Sequence, residues 1–263
     1  MPKDGFLTVN GLRIHYIDFR GEGRPVVAIH GIASAGMVWR ELRGALGRRV
    51  VATDLRGHGD SQWSPDGTYG SADAAADIAG VIAKLDLGEV DVIGHSWGGL
   101  IAMSLADRLG AQARRLVVVD IPPSSAQKPE EVTPRQVQFD TWEAALEAER
   151  KRSPRGSDAA IANLADRTYR PAEGGGFVKK LDPTFLRRWD FRTEDHWGTL
   201  ARLAQPTLIV KGAGSPTVPD DVAQRMADAL PNGRWVTVPD TGHAVHVENP
   251  SGFIAEVKPF LEG

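Results

Sequence analysis

Six short, almost unbroken apolar runs punctuate this 263-residue chain: Val26–Ile29, Val50–Ala52, Val90–Ile93, Leu116–Val119, Thr207–Val210 and Trp235–Val238. Runs this short, rich in Val and Ile, suit strands that are buried on both faces, as the strands of a parallel sheet are. Between them lie stretches of helical period. The clearest places Ile78, Val81, Ile82 and Leu85 on one face, after Ser71 as the expected N-cap. Such alternation implies right-handed crossovers and a doubly wound α/β sheet, with ligands expected beyond the carboxyl ends of the strands. Phe6–Val9 and Leu12–Phe19 flank the turn dipeptide Asn10-Gly11 and read as a hairpin feeding the sheet's edge.

From about Pro122 to Leu200 the strand-like runs vanish. Charged helical segments such as Thr141–Arg152 alternate there with Ser-Pro, Arg-Pro and Gly174-Gly175-Gly176 breaks. The stretch falls between two sheet strands at the edge where ligands bind. The expected division is therefore a core of residues 1–121 and 201–263 and a small helical cap of residues 122–200.

Composition narrows the function classes. Lys and Arg number 31 against 34 Asp and Glu, a net charge of -3, so no basic stripe points to nucleic acid or an anionic membrane. The absence of cysteine removes disulfides, thiolate metal sites and a cysteine nucleophile together. The opening residues from Met1 to Gly11 contain no apolar h-region, and no later apolar run approaches the roughly 20 residues of a spanning helix. The reading is a cytoplasmic protein acting on a small molecule, with the oligomeric state left open. No His, Asp or Glu cluster shows ligand spacing such as H-E-x-x-H, so neither metal nor cofactor is expected.

Directly after Val90–Ile93 comes Gly94-His95-Ser96-Trp97-Gly98-Gly99, and directly after that the helix-like run Leu100–Leu109. G-x-S-x-G between a strand and a helix holds its serine on a sharp, strained turn with Oγ exposed, and the glycines let the backbone pass closely. Further landmarks agree. His30-Gly31 follows the Val26–Ile29 run, Asp54-Leu55-Arg56-Gly57-His58-Gly59-Asp60-Ser61 forms a D-x-R-G-x-G-x-S loop, and Thr241-Gly242-His243 follows the last strand. Outside the cap the chain resembles the α/β-hydrolase superfamily over nearly its whole length.

That resemblance implies a Ser-His-acid triad in the order nucleophile, acid, base. Ser96 is the expected nucleophile and His243 the expected base, with His246 its nearest rival. The acid is where the sequence departs from many relatives. Their G-x-x-D loop after the Thr207–Val210 strand reads here Gly212-Ala213-Gly214-Ser215-Pro216, with serine in place of the carboxylate. Asp120 ends the Leu116–Val119 strand, and a subset of small esterases in the superfamily resembles this chain by pairing V-D-I-x-P there with a later G-x-x-S-P loop. Asp120 is the assigned acid, with Asp220 or Asp221 as the competing assignment. The resemblance also implies an oxyanion hole from the backbone N–H groups of Ile32 and Trp97, whose side chains would add apolar wall.

A serine at the elbow disfavours epoxide and haloalkane hydrolysis, because an alkylated serine is a stable ether whereas an alkylated aspartate is a cleavable ester. Acyl transfer remains: hydrolysis of an ester, thioester, lactone or amide, with cofactor-free perhydrolysis or carbon–carbon bond hydrolysis as alternatives on the same residues. A non-catalytic ligand receptor on this fold is the alternative of a different class. His196, Trp189 and Trp197 are the cap residues proposed to touch substrate, and Trp142, Phe177, Phe185 and Phe191 are further aromatic candidates for an apolar pocket.

Overall fold

In the computed structural model, residues 2–125, 127, 128, 130 and 136–263 are described. In chain order their strands are β1 (Lys3–Val9), β2 (Leu12–Asp18), β3 (Glu22–Ile29), β4 (Arg48–Thr53), β5 (Val90–His95), β6 (Ala113–Val119), β7 (Gln138–Phe139), β8 (Tyr169–Pro171), β9 (Phe177–Lys179), β10 (Thr207–Gly212) and β11 (Gly233–Val238). The central sheet runs β1-β2-β4-β3-β5-β6-β10-β11. Pairings of β2 with β1 and β4 are antiparallel, and the other pairings are parallel. Strand order reverses direction between β3 and β5. The crevice beyond their carboxyl ends is therefore the switch point at which such sheets bind ligands.

Each of the six apolar runs lies within one of these strands. Within β3, Val27 and Ile29 pack on the side of the helices Ser71–Lys84 and Trp97–Leu109, while Val26 and Ala28 face Trp39 and the helix Pro250–Glu262. Both faces are covered, so neither register position can be polar without a partner. The hairpin is present at the sheet's edge, with Asn10 at φ 50° and Gly11 at φ 78°, the left-handed pair that a two-residue turn requires.

Two local expectations are corrected. Gly70 precedes the helix Ser71–Lys84 in extended conformation, and Ser71 is its first helical residue rather than its N-cap. The Ser71 hydroxyl is taken by the Trp97 indole, which donates to it at 3.0 Å. The inserted segment is also not purely helical. Besides the helices Trp142–Arg152 and Asp158–Thr168 it contains a three-stranded antiparallel sheet, β7-β9-β8. Strands of two or three residues leave no apolar run to read, and the Gly174–Gly176 break is the turn joining β8 to β9, with Gly175 at φ 96° and Gly176 at φ 72°. Residues 126, 129 and 131–135 of the expected cap lie outside the described residues. Among the described residues, no helix is long and apolar enough to cross a membrane.

Candidate active site

Ser96 stands between β5 and the helix Trp97–Leu109 at φ 55°, ψ −129°, a conformation that L-residues rarely adopt. Its neighbours hold it there. The Ser96 N–H donates to Val119 O at the end of β6 at 2.9 Å, and its carbonyl accepts the Gly99 N–H at 2.7 Å. The flanking glycines are required by close approach: a Cβ on Gly94 would lie 2.0 Å from Gly98 O, and one on Gly98 would lie 2.4 Å from Ile29 O.

His243, in the loop after β11, places Nε2 3.0 Å from Ser96 Oγ and Nδ1 2.7 Å from Asp120 Oδ2. An ionised carboxylate only accepts, so Nδ1 carries the proton and Nε2 presents its lone pair to the serine hydroxyl. Asp120 follows β6 directly, at φ 52°, with its N–H donating to Val210 O of β10 at 2.8 Å. Its side chain is 0% exposed. Burying a carboxylate is costly without donors, and two more are supplied: Ser215 Oγ at 2.5 Å and Gly212 N–H at 3.2 Å. The serine found in place of a carboxylate thus donates to the carboxylate on the neighbouring strand. Asp220 pairs instead with Lys211 and is 74% exposed, and Asp221 is likewise exposed. His246 is buried against Trp39, with ring centroids 4.2 Å apart.

The loop after β3 flanks the serine on its other side. A Cβ on Gly31 would meet Ser96 Cβ at 2.9 Å. His30 braces this loop: its Nε2 accepts the Leu55 N–H at 3.0 Å, so its Nδ1 carries the proton and donates to Gly31 O at 2.7 Å. Carbonyl and N–H point opposite ways across a trans peptide, so the same bond sets the direction of the Ile32 N–H. The Ile32 N–H has no protein acceptor among the described residues. Nor does that of Trp97, which opens its helix and so lacks an intrahelical partner.

A cavity of about 770 Å³ opens above Ser96 and His243, bounded by Ile32, Ile121, Trp189, Phe191 and Trp197 among others. Of the residues proposed to touch substrate, Trp189 and Trp197 line it. His196 does not; its Nε2 lies 3.0 Å from Glu194 Oε2. Ile32 supplies apolar wall as expected, but the Trp97 ring is fully buried beneath, stacked on Phe191. Phe185 packs on Tyr69, and Trp142 on Phe177, away from the cavity. Arg152 and Glu149 also line it, and sequence patterning had not singled them out. Apart from each other, their partners lie more than 100 residues away or in the three-residue strands, beyond the reach of local pattern.

Three histidine rings crowd this floor, with His95 centred 4.7 Å from His243 and 4.6 Å from His246. Burial, and then the neighbouring rings, push His95 well below the usual histidine range, while burial and His243 bring His246 to about 3. Between pH 6.5 and 3 the unfolded chain takes up a proton at residue 246 that the fold refuses. This contribution to stability is complete above pH 6.5 and falls by about 1.4 kcal/mol per unit as the pH drops below it. In urea unfolding, His246→Phe, which keeps a ring against Trp39, should shrink the stability difference between pH 7 and pH 5 by about 2 kcal/mol. An unchanged difference would assign the acid sensitivity elsewhere.

Among the described residues, His15, Asp54 and Asp60 form the one group whose ligand atoms could share a metal ion. Their lone pairs have other uses. Asp54 accepts from His15 at 2.8 Å, Gly36 N–H at 2.7 Å and Asp60 N–H at 2.9 Å, and Asp60 pairs with Lys180 at 2.7 Å. The group braces the loop after β4 and lies outside the residues around Ser96.

A family model described as the alpha/beta hydrolase fold matches residues 24–250, most of the chain. The chain belongs to the α/β-hydrolase family. This hydrolase is 29% identical to N-formylmaleamate deformylase of Pseudomonas putida over 98% of its own length and 96% of that protein's. It is 30% identical to the sn-1-specific diacylglycerol lipase ABHD11 of Mus musculus, over 90% and 80% of the two chains. Its fold superposes on the crystal structure of E-2-(acetamidomethylene)succinate hydrolase with a TM-score of 0.88 over the whole of both chains, at 24% identity.

Proposed function

We propose that this hydrolase cleaves a carboxylic ester through an acyl-enzyme on Ser96, with His243 as base and Asp120 as the acid that orients it. The observation that carries the reading is the continuous relay from Ser96 Oγ to His243 Nε2 at 3.0 Å and from His243 Nδ1 to Asp120 Oδ2 at 2.7 Å. A hydroxyl is a poor nucleophile at neutral pH, and an aligned imidazole removes its proton as the bond to carbon forms. Ser96 Oγ attacks the ester carbonyl and its proton passes to His243 Nε2. Asp120 stabilises the imidazolium so formed. The N–H groups of Ile32 and Trp97 receive the oxyanion. Collapse expels the alcohol with the proton from His243, and water then repeats the sequence to release the acid and restore Ser96. The names of the two relatives, a deformylase and a diacylglycerol lipase, both describe removal of an acyl group.

The segment over the strand ends is the proposed lid, with Trp189 and Trp197 as its contribution to substrate binding. A cavity of about 770 Å³ whose wall includes Ile32, Ile121, Trp189, Phe191 and Trp197 beside polar residues fits an acyl chain of several carbons. With p-nitrophenyl esters from acetate to octanoate, kcat/KM should rise up to about fourfold per added methylene, since each buried methylene contributes about 0.8 kcal/mol. Turnover limited to a single equivalent would favour a receptor, and a flat profile would remove the acyl chain from the cavity.

A further inference from the structure

A buried charged cluster of the inserted segment reaches into the core at one point, the loop after β3. Glu149, whose side chain is 1% exposed, accepts from Lys179 Nζ at 2.5 Å and Tyr169 Oη at 2.7 Å, and lies 3.4 Å from Arg152 Nη1. Burial would raise the Glu149 carboxyl, but the charges of Lys179 and Arg152 overcome it and hold it at about 2. The two cations extend past Glu149 to consecutive backbone carbonyls. Arg152 Nη2 donates to Ile32 O at 3.0 Å, Arg152 Nη1 to Ala33 O at 2.6 Å, and Lys179 Nζ to Ala33 O at 3.1 Å. Ala33 sits at φ 57°, a conformation that persists in a non-glycine residue only where its surroundings enforce it.

These contacts complete a sequence of three. His30 holds Gly31 O from the core, and Arg152 with Lys179 holds Ile32 O and Ala33 O from the inserted segment. We propose that Arg152, oriented by Glu149, is a positioning residue that locks the Ile32–Ala33 loop in the conformation presenting the Ile32 N–H to the oxyanion. This rests on the acyl-enzyme reading above. A planar guanidinium suits the task because its fork reaches two adjacent carbonyls in fixed geometry, which a lysine ammonium cannot reproduce. Its charge is also felt at His30 and His95, on either side of the oxyanion loop and the serine elbow.

The test compares heptyl trifluoromethyl ketone, which adds to the serine as a tetrahedral oxyanion, with heptyl methyl ketone, which binds as a ground-state carbonyl. In the 263-residue chain, Arg152→Met should lower kcat on p-nitrophenyl esters by about 10- to 100-fold, leaving KM within about threefold. Affinity for the trifluoromethyl ketone should weaken by the same factor as kcat, and that for the methyl ketone should hold. Arg152→Lys should recover part of the loss. Glu149→Gln, which keeps one acceptor oxygen, puts a donor NH2 in place of the other and loses the charge, should fall between. Arg150→Met, on the same helix and paired with Asp158, should match the unmutated chain. A loss carried by KM, or trifluoromethyl ketone affinity unchanged in Arg152→Met, overturns the assignment and leaves the acyl-enzyme reading standing. Absence of both turnover and ketone binding in the unmutated chain overturns the two together.

Discussion

Ser96→Ala is expected to lower kcat on the best p-nitrophenyl ester by about 10⁴- to 10⁶-fold, as removal of a serine nucleophile from such a relay does. Folding should survive, because the backbone bonds that hold residue 96 at positive φ, to Val119 O and from Gly99 N–H, do not involve the hydroxyl. The unfolding midpoint should therefore stay close to that of the unmutated chain. Intact-mass measurement after treatment with a fluorophosphonate should show one adduct on the unmutated chain, mapped to Ser96, and none on the variant. An adduct on another residue, or a variant that keeps its activity, would remove Ser96 from the chemistry.

The second large effect concerns the acid. Asp120→Asn keeps the shape of the side chain but offers His243 Nδ1 an amide, which no longer stabilises the imidazolium and can impose the wrong tautomer. A fall in kcat of about 10²- to 10⁴-fold is expected. Asp220→Asn and Asp221→Asn should remain within about a few-fold of the unmutated chain, since both side chains are exposed. Ser215→Ala should give a smaller loss than Asp120→Asn, because the carboxylate keeps its bonds to His243 Nδ1 and the Gly212 N–H. A crippled Asp220→Asn beside an active Asp120→Asn would return the acid to the loop after β10.

The sheet was legible because burial on both faces forces near-continuous Val and Ile, a pattern written locally in each strand. Ser96, Asp120 and His243 could be picked out for a related reason: each lies at or just beyond the end of a readable strand, and the sheet brings those ends to one edge. Ser215 was visible as an anomaly, and its bond to Asp120 gives that anomaly a physical reason. Other features had no local trace. Ser71 resembles an N-cap in sequence, yet its hydroxyl is claimed by an indole 26 residues away. His196 lies in an aromatic stretch that borders the cavity, but the nearby Glu194 holds its ring. Arg152 stands among charged residues on a surface-like helix, and only its contact with loop carbonyls about 120 residues earlier separates it from its neighbours.

The bond from the Ser96 N–H to Val119 O ties the serine to the residue immediately before Asp120. Two members of the relay therefore ride on adjacent, hydrogen-bonded strands and move as one stiff body. His243 alone arrives on a separate loop, after the last strand of the sheet. Alignment of the three groups then has few independent coordinates: the loop bearing His243 is placed against that pair, and the His243 carbonyl accepts from His95 Nε2, beside Ser96, at 2.8 Å. An acid carried after β10 would have added another separately placed element, and each added element multiplies the ways of being out of register.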